Sequence, residues 1–439
     1  MTTAISYALL TTFTVLLSYT SLSHGLLQPR RISHGLSASG KYLTRDELWF
    51  NQTLDHFSPY DHRKFGQRYY EYLDHLRVPD GPIFLMICGE GPCNGIPNDY
   101  LSVLAKKFEA GVVSLEHRYY GKSSPFNSLA TENLKYLSSK QALSDLAAFR
   151  GFYQASFLAI FEALNVKFNR TGKVDNPWFF FGASYSGALS AWFRLKFPHL
   201  TCGSLASSAV VRAVYEYYEY DQQIGESVGP ECKPVLQEIN KLVELGLKVN
   251  NKAMKALFNA TELDVDADFL YLIADAQVVA VQYGNPDKLC VPLVEAKKNG
   301  SDLVEAYAKY VKEYCVGVFG LSAKTYSRKH LLDTRITPES ADRLWYHLDL
   351  CKSLFGKGVY PEVDATNLYY GGDRIAATKI IFTNGSQDPW RHASKQTSSP
   401  DCDSKNCSSP DAVNKVRQHI IEHIDLWLSE CRGVLRSSM

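Results

Sequence analysis

The sequence lacks an excess of charge, a membrane-spanning run and a zinc-binding motif, and each absence excludes a class of protein. Its 47 Lys and Arg residues balance 46 Asp and Glu residues without forming a basic stripe, so we expect no nucleic-acid binding through phosphate contacts. No segment after the N-terminal one approaches the ~18 consecutive apolar residues of a membrane helix. The ten cysteines contain no pair of Cys-x-x-Cys motifs, so no metal site is expected. With 45% hydrophobic and 21% charged residues, the chain is predicted to be a soluble globular protein.

The N-terminus carries an apolar segment with no Lys or Arg before it. Residues 5–17 are almost all apolar or small, which matches a signal-peptide core and is too short to span a bilayer. Ser23 and Gly25 supply the small residues that a signal peptidase requires. We therefore predict a signal peptide over residues 1–25, with secretion, the vacuole and the lysosome all open as destinations.

Sequons and cysteines also point to the secretory pathway. Asn-x-Ser/Thr sequons are modified only in that pathway. The predicted glycosylation sites are Asn51, Asn169, Asn259 and Asn299, and further sequons begin at Asn384 and Asn406. An even number of cysteines in an oxidising compartment predicts disulfide bonds, whose pairing the spacing leaves open apart from a possible small loop between Cys402 and Cys407.

Short apolar runs alternate with helical periodicity in the first half of the chain. The runs at 83–88, 112–115 and 178–181 are bounded by Gly, Pro or charge, as buried parallel strands are. Residues 139–164 carry apolar side chains at helical spacing, and another strand candidate follows at 204–211. This alternation predicts the α/β class, with a mostly parallel sheet covered by helices.

The pattern changes in the middle of the chain and then returns. Residues 213–364 contain long helix-like stretches and few strand candidates, whereas 365–439 again contains a strand candidate and a closing amphipathic helix over 411–430. We predict a sheet core formed by 42–212 and 365–439, interrupted by an inserted helical cap domain over 213–364. The apolar face of the closing helix is predicted to consist of Val413, Val416, Ile420, Ile424 and Leu428.

Ser184 lies in the sharpest local motif. The aromatic strand candidate 178–181 runs directly into the small-residue turn GASYSG at 182–187, and a helical pattern follows. Small neighbours permit the strained turn of a nucleophile elbow, which lifts the Ser hydroxyl clear of the sheet. We predict that Ser184 is a catalytic nucleophile, although Ser186 replaces the final Gly of G-x-S-x-G and small-residue turns after strands are common.

Two oxyanion donors and an acid are predicted around this nucleophile. The backbone N–H of Tyr185 is the first donor, and Gly89, in the loop after the strand at 83–88, is the second unless that loop is a plain Gly-Pro turn. Asp388 follows a late strand candidate, in the order Ser then Asp that α/β-hydrolases use. An Asp before Pro is also a frequent turn residue, which is the alternative for Asp388.

Three motifs in this order resemble those of the lysosomal Pro-X carboxypeptidase and dipeptidyl-peptidase II family, closest to its thymus-specific serine protease type. They are EHRYYGKS at 116–123, GASYSG at 182–187 and NGSQDPW at 384–390. The resemblance implies an α/β-hydrolase fold with an inserted helical cap. It also implies a serine exopeptidase that uses no cofactor and often cleaves next to proline, with Ser184 as nucleophile and Asp388 as triad acid.

The resemblance further implies a strand and a His-bearing loop between the acid and the last helix, and this sequence has neither. Segment 391–410 contains no apolar run and no histidine after His392, and it repeats Ser-Ser-Pro. Loss of the triad His typically lowers turnover by ~10⁶. The candidate substitutes are His117, His392, His419 and His423, and each is better explained as a packing or surface residue, so no catalytic His is assigned.

Two functions therefore follow from the sequence. The first is a secretory-pathway serine exopeptidase, acting as a prolyl carboxypeptidase or a dipeptidyl peptidase. The second is a catalytically impaired or truncated relative that lacks the triad His and at most binds peptides. Peptides are the expected partners in both cases, and which end of the peptide is trimmed stays open, as does the oligomeric state.

Overall fold

The computed structural model describes residues 40–168, 176–331, 361–396 and 410–437. The predicted signal peptide, the sequons at Asn169 and Asn406, and the possible Cys402–Cys407 loop lie outside these residues. Within them, no helix combines the length and the apolar character needed to cross a membrane.

A seven-stranded sheet is the centre of the fold. Its strand order is β2-β3-β6-β4-β7-β8-β9, with β2 and β3 antiparallel at one side and the other five strands parallel. A separate two-stranded sheet pairs β1 with β5. The strands are β1 (Tyr42–Thr44), β2 (Leu48–Thr53), β3 (Lys64–Tyr72), β4 (Ile83–Ile87), β5 (Ile96–Pro97), β6 (Gly111–Leu115), β7 (Trp178–Ala183), β8 (Gly203–Ser207) and β9 (Ile380–Thr383).

Helices flank the sheet and fill the long connection between β8 and β9. The described helices are α1 (Tyr100–Phe108), α2 (Ser139–Phe168), α3 (Tyr185–Lys196), α4 (Tyr218–Ser227), α5 (Gly229–Leu257), α6 (Asp266–Gln282), α7 (Pro286–Lys298), α8 (Leu303–Tyr310), α9 (Gly317–Phe319), α10 (Ala323–Tyr326), α11 (Arg328–Leu331), α12 (Val363–Tyr370) and α13 (Pro410–Ser437). A π-helical turn follows α8 at Val311–Val316, and 3₁₀ turns lie at Leu134–Tyr136, Gly372–Arg374 and Pro389–Ala393.

The central strands are buried because helices cover both faces of the sheet. Every residue of β4 and β6 is buried, as the continuous apolar runs of the sequence predict. Helices α2 and α3 pack on one face, and α1 and α13 pack on the other. The α/β class is confirmed, and the mostly parallel sheet with a nucleophile elbow after a central strand is the α/β-hydrolase fold.

The helices between β8 and β9 form a hydrophobic core of their own. Side chains of α5, α6, α7 and α8 pack together in this core. A disulfide between Cys232 and Cys290 joins α5 to α7. The described parts of the predicted cap, residues 213–331 and 361–364, contain helices and no strand.

The closing helix differs from its prediction at one end. Ile420, Ile424 and Leu428 are buried against the sheet, and a disulfide between Cys202 and Cys431 fixes this end of the helix next to β8. The predicted face was wrong at Val413 and Val416, which are both 47% exposed, since the helix reaches the core of the sheet only from Ile420 onward.

Strand β8 is also shorter than predicted, because it ends at Ser207 rather than near residue 211. Ser208 has a φ of 45°, in the left-handed region that strands do not use. The backbone therefore turns away from the sheet after the N–H of Ser208. Strand β8 lies between β7, which precedes Ser184, and β9, which precedes Asp388.

Buried ion pairs fix the segment that follows β6. Glu116 accepts a 2.5 Å hydrogen bond from Arg68 of β3 and another from the hydroxyl of Ser123 at 2.6 Å. Arg118 forms two 2.6 Å hydrogen bonds with Asp145 of α2, and both side chains are almost completely buried. These charges tie β3, β6 and α2 together beneath the carboxyl ends of the strands, so the EHRYYGKS motif has a structural role.

Removal of the Asp145 charge should destabilise the fold strongly. In the Asp145→Asn variant, Arg118 would keep a buried charge without its partner, and we expect a loss of about 3–5 kcal/mol in the free energy of unfolding. Urea unfolding of the purified chain at constant m-value measures this loss. The matched control is Glu231→Gln, which breaks an ion pair with Lys298 whose side chains are 74% and 67% exposed. A loss no larger than that of the control would contradict the role given to Asp145.

Candidate active site

Ser184 lies in a strained turn between β7 and α3. Its backbone has φ 59° and ψ −128°, a conformation that costs a non-glycine residue free energy and is typical of functional sites. Glycine is required on both sides of this turn. A Cβ at Gly182 would lie 1.9 Å from the carbonyl oxygen of Ser186, and a Cβ at Gly187 would lie 2.8 Å from the carbonyl oxygen of Ser207. These contacts give the turn the geometry of a nucleophile elbow.

Ser186, which replaces the usual final glycine of the elbow motif, stabilises the turn. Its hydroxyl donates to the carbonyl oxygen of Ala183 at 2.7 Å and accepts from the Ala183 N–H at 3.1 Å. The hydroxyl therefore caps the end of β7, and the departure from G-x-S-x-G leaves the elbow intact.

Asp388 lies in the loop after β9, at the start of the 3₁₀ turn Pro389–Ala393. One carboxylate oxygen, Oδ1, accepts from the backbone N–H of Trp390 at 2.9 Å. The other, Oδ2, is buried, and the Ser208 hydroxyl lies close to the carboxyl group. Burial raises the pKa of the Asp388 carboxyl, and the nearby Ser208 hydroxyl and Trp390 N–H offset part of that rise.

The parallel sheet brings Ser184 and Asp388, the predicted nucleophile and acid, to the same end of the strands. Strands β7, β8 and β9 are consecutive neighbours. The pairing continues one residue past the strand ends, where Ser184 N–H donates to Ser207 at 2.9 Å and Ser208 N–H donates to Thr383 at 2.7 Å. Ser184 thus follows β7 directly, and Asp388 follows β9 two strands away, with Ser208 between them.

Helices of the long insertion hold the acid loop in place. The Tyr217 hydroxyl donates to the carbonyl oxygen of Pro389 at 2.9 Å, and the indole N–H of Trp390 donates to Gln282 of α6 at 3.2 Å. Trp390 is buried against Tyr217 and Tyr220. The loop that carries Asp388 therefore depends on the helices as well as on the sheet.

No histidine in the described ranges has a hydrogen bond to Ser184 or to Asp388. His392 contacts Gln223 of α4 at 3.2 Å, and burial together with the Arg391 charge lowers its pKa. His419 and His423 are exposed on α13. The structure therefore gives no support to a substitute base from these three residues.

His117 is buried and contacts Tyr185, the residue that follows Ser184. Its Nε2 contacts the hydroxyl of Tyr185 at 3.2 Å, and its Nδ1 contacts the carbonyl oxygen of Arg118 at 2.8 Å. Burial lowers the pKa of His117 to about 4 and raises that of Tyr185 well above its ordinary value. A neutral His117 thus donates through Nδ1 and accepts from Tyr185, which fixes the residue after the nucleophile rather than activating Ser184.

The predicted oxyanion loop lies beside the elbow. Gly89 follows β4, which is the neighbour of β7, so this loop and Ser184 leave adjacent strands at the same edge. A disulfide between Cys88 and Cys93 closes the loop. Glu116 accepts from the backbone N–H of Cys93 at 2.9 Å, which ties the loop to the buried ion pairs.

Glu90 is a residue that the sequence reasoning did not single out. It lies inside the disulfide-closed loop, and its Oε2 is buried. Burial raises the pKa of Glu90 to about 8, and a negative charge there raises the pKa of Tyr185. Its position between two cysteines, directly after a buried strand, was the available signal. The loop thus places a carboxyl group with a raised pKa near Tyr185, the residue that follows Ser184.

The predicted glycosylation sites differ in accessibility. Asn51, Asn259 and Asn299 are exposed, as attached sugars require. The further sequon at Asn384 is half-buried, and its side chain donates to Lys395 at 3.1 Å. Among the described residues, no cluster of three His, Cys, Asp or Glu side chains could hold a metal ion.

Several known proteins are similar to this chain in sequence over most of its length. The profile of the family described as serine carboxypeptidase S28 matches residues 52–324 and 335–403. An Arabidopsis thaliana protein named Probable serine protease EDA2 is 64% identical over 496 positions, covering 100% of both chains. The thymus-specific serine protease of Homo sapiens is 32% identical, covering 78% of this chain and 76% of its own. The lysosomal Pro-X carboxypeptidase of Pongo abelii is 24% identical, covering 87% and 88%.

The alignment with the Arabidopsis thaliana protein is longer than this chain. It has 496 positions against the 439 residues of this chain, so about 57 positions, the difference between the two, have no residue here. That number of unmatched positions is large enough to include the strand and the His-bearing loop that the sequence was predicted to lack.

Substitution of Gly182 should damage the elbow. In the Gly182→Ala variant the new Cβ would clash with the Ser186 carbonyl, which is backbone and cannot rotate away, so we expect a loss of about 1–3 kcal/mol or a failure to fold. Thermal unfolding measures the effect. Gly151→Ala in α2 is the control, because nothing lies within 4 Å of its added Cβ and alanine favours a helix. Equal melting temperatures for the two variants would refute the tight packing of the elbow.

Glu90 should make stability fall as pH rises. Its pKa is raised from 4.5 to about 8 on folding, so between these values the unfolded chain releases a proton that the folded chain keeps. We expect the melting temperature of the wild type to fall relative to Glu90→Gln from about pH 4.5 to pH 8. Thermal unfolding over this range, with the exposed Glu132→Gln as control, measures the difference. Parallel curves for wild type and Glu90→Gln would show that Glu90 ionises normally.

Proposed function

We propose that this chain, which belongs to the serine carboxypeptidase S28 family, is an exopeptidase scaffold of the secretory pathway that acts on peptides through Ser184 and Asp388. One observation carries the proposal. The strained elbow at Ser184 and the buried carboxylate of Asp388 lie at the carboxyl ends of β7 and β9, with a disulfide-closed loop after β4 on the other side. This is the arrangement in which serine hydrolases place nucleophile, acid and oxyanion donors.

In the proposed reaction, the Ser184 hydroxyl attacks the carbonyl carbon of the scissile peptide bond. A base takes the hydroxyl proton, and the N–H groups of Tyr185 and Gly89 stabilise the oxyanion that forms. The base then returns the proton to the leaving amine as the C–N bond breaks, which leaves an acyl group on Ser184. Water hydrolyses this ester by the same steps and restores the free serine. Asp388 orients the base and stabilises its protonated form.

The base is the one component that the described residues do not supply. His392 is hydrogen-bonded to Gln223, His117 is hydrogen-bonded to Tyr185, and no described histidine is hydrogen-bonded to Asp388. Without a base, turnover should be lower by ~10⁶ than in a complete triad. This favours the second candidate function, a chain that binds peptides in the same cleft but turns them over slowly.

The compartment and the cleavage next to proline are proposed on separate observations. Three disulfides favour the secretory pathway, because such bonds persist only in oxidising compartments. Cleavage next to proline follows from the name of the Pongo abelii relative, a Pro-X carboxypeptidase. We include both amino- and carboxy-terminal trimming in the proposal.

Imidazole should reveal the chemistry of Ser184. We expect slow hydrolysis of proline-containing peptides by the secreted chain and at least about tenfold faster hydrolysis with added imidazole, because a small base can take the place of an absent side chain beside Asp388. Product analysis by mass spectrometry also identifies the trimmed end. Ser184→Ala should abolish the gain, and Asp388→Asn should reduce it.

Two results would change the assignment. If Ser184→Ala hydrolyses the peptides as fast as the wild type with imidazole present, the chain is not a peptidase, and calorimetric binding of the same peptides would support the second function. If the wild type is fast without imidazole, and His392→Ala is slow, His392 is the base.

A further inference from the structure

The helical insertion contains a cavity that the proposed reaction does not use. This cavity, here called the helical cavity, has a volume of about 290 Å³ and lies between α4, α5 and α6. Sites for small-molecule ligands have volumes of roughly 300–1,000 Å³. The helical cavity is at the lower end of that range, so it has room for a small molecule and not for a long stretch of peptide.

The helical cavity has apolar walls and a polar entrance. Its buried lining residues include Ile224, Leu236, Val243 and Ile273. Its exposed lining residues include Asp221, Lys233, Gln237 and Asn240. Because solvent reaches these polar side chains, a ligand can enter past them and place an apolar group against the buried walls.

Two opposite charges line the entrance about one helical turn apart. Asp221 and Gly225 are four residues apart on α4 and both line the helical cavity, which corresponds to about 6 Å along the helix. The Lys233 side chain of α5 lies over Gly225, since a Cβ at Gly225 would be 3.4 Å from Lys233 Nζ. Burial raises the pKa of the Asp221 carboxyl to about 6, and no cation in the described structure offsets that rise. The carboxyl group of Asp221 therefore lacks a cationic partner.

The spacing of these charges specifies the class of ligand. A carboxylate and an ammonium group form charge-assisted hydrogen bonds of about 2.8 Å. A free amino acid carries an ammonium group and a carboxylate on one carbon atom, so two such bonds can span the gap between Asp221 and Lys233. Its side chain then points to the apolar walls, where only an apolar side chain is stabilised by leaving water. The interior of a peptide has neither charge.

We propose that the helical cavity binds a free amino acid with an apolar side chain, whose ammonium group donates to Asp221 and whose carboxylate accepts from Lys233. An exopeptidase that trims a carboxyl terminus releases ligands of this class, so the cavity is suited to sense the product of the proposed reaction. The binding itself does not rest on the proposed function.

A different face of α4 holds the loop that carries Asp388. Gln223 contacts His392 of that loop at 3.2 Å, and the hydroxyl of Ser227 donates to the carbonyl oxygen of Gln387 at 3.4 Å. A ligand that fixes the position of α4 therefore also acts on the acid loop. This effect on hydrolysis rests on the proposed function.

Calorimetric titration of the purified chain with L-leucine tests the binding. We expect saturable binding of L-leucine, and binding at least about tenfold weaker for N-acetyl-L-leucine, which lacks the ammonium group, and for L-leucinamide, which lacks the carboxylate. L-Serine, with both charges but a polar side chain, should also bind at least about tenfold more weakly. An absence of saturable binding of L-leucine to the folded chain, or equal affinity for all three leucine compounds, would overturn the proposal.

Variants of the chain locate the bound amino acid. Asp221→Asn should weaken L-leucine binding at least about tenfold, and Ala274→Leu, which fills the helical cavity, should abolish it. The matched control is Glu226→Gln, which is exposed on α4 outside the cavity and should bind like the wild type. Thermal unfolding shows which variants are folded, and if Ala274→Leu is not, Asp221→Asn and the leucine analogues decide. Binding that Asp221→Asn leaves unchanged would place the amino acid elsewhere and refute the helical cavity as its site.

Hydrolysis in the presence of imidazole separates this proposal from the proposed function. We expect L-leucine to change the rate of imidazole-supported hydrolysis of proline-containing peptides at least about twofold in the wild type and not in Asp221→Asn. Binding that meets the tests above, without any measurable hydrolysis, would uphold the helical cavity and refute Ser184–Asp388 chemistry. An equal response of the two proteins would overturn the coupling through α4.

Discussion

The ladder of backbone hydrogen bonds between β7, β8 and β9 is the constraint on which the arrangement of the site depends. Ser184 and Asp388 are far apart in sequence, and they share one edge of the sheet only because these three parallel strands are paired in register. The ladder continues through Ser184 and Ser208, so the positions where the chain leaves each strand are fixed to within one residue. Any shift of register would move the nucleophile and the acid relative to each other.

Two sets of contacts support the segments beside this ladder. In the first, Glu116 accepts from Cys93 in the disulfide-closed loop and from Arg68 of β3, while Arg118 is paired with Asp145 of α2. The predicted oxyanion loop is therefore held by an ion pair as well as by the Cys88–Cys93 disulfide. In the second, Tyr217 and Gln282, which lie between β8 and β9 in the sequence, hold the turn that begins at Pro389. The insertion is therefore part of what positions the acid.

The Asp388 carboxyl is buried in the loop after β9, and one of its oxygens accepts from the backbone N–H of Trp390. Burial raises its pKa, and the nearby Ser208 hydroxyl offsets part of that rise. Among the described residues, no histidine is hydrogen-bonded to this carboxyl. In the proposed reaction Asp388 would orient the base, which explains why turnover should be slow and why added imidazole should matter.

The sequence by itself determined the buried strands near 83–88, 112–115 and 178–181 and the strained turn at Ser184, because buried parallel strands and tight turns require local residue types that can be read directly. The catalytic roles of Ser184 and Asp388 and the missing histidine segment stay predictions, since they rest on motif order and not on a contact. Only the tertiary structure decided that Ser208 ends β8 early, that His117 binds Tyr185, that Glu90 is a buried acid, and that Val413 and Val416 stay exposed. These features depend on contacts between residues distant in sequence, whose burial and charge no local pattern records.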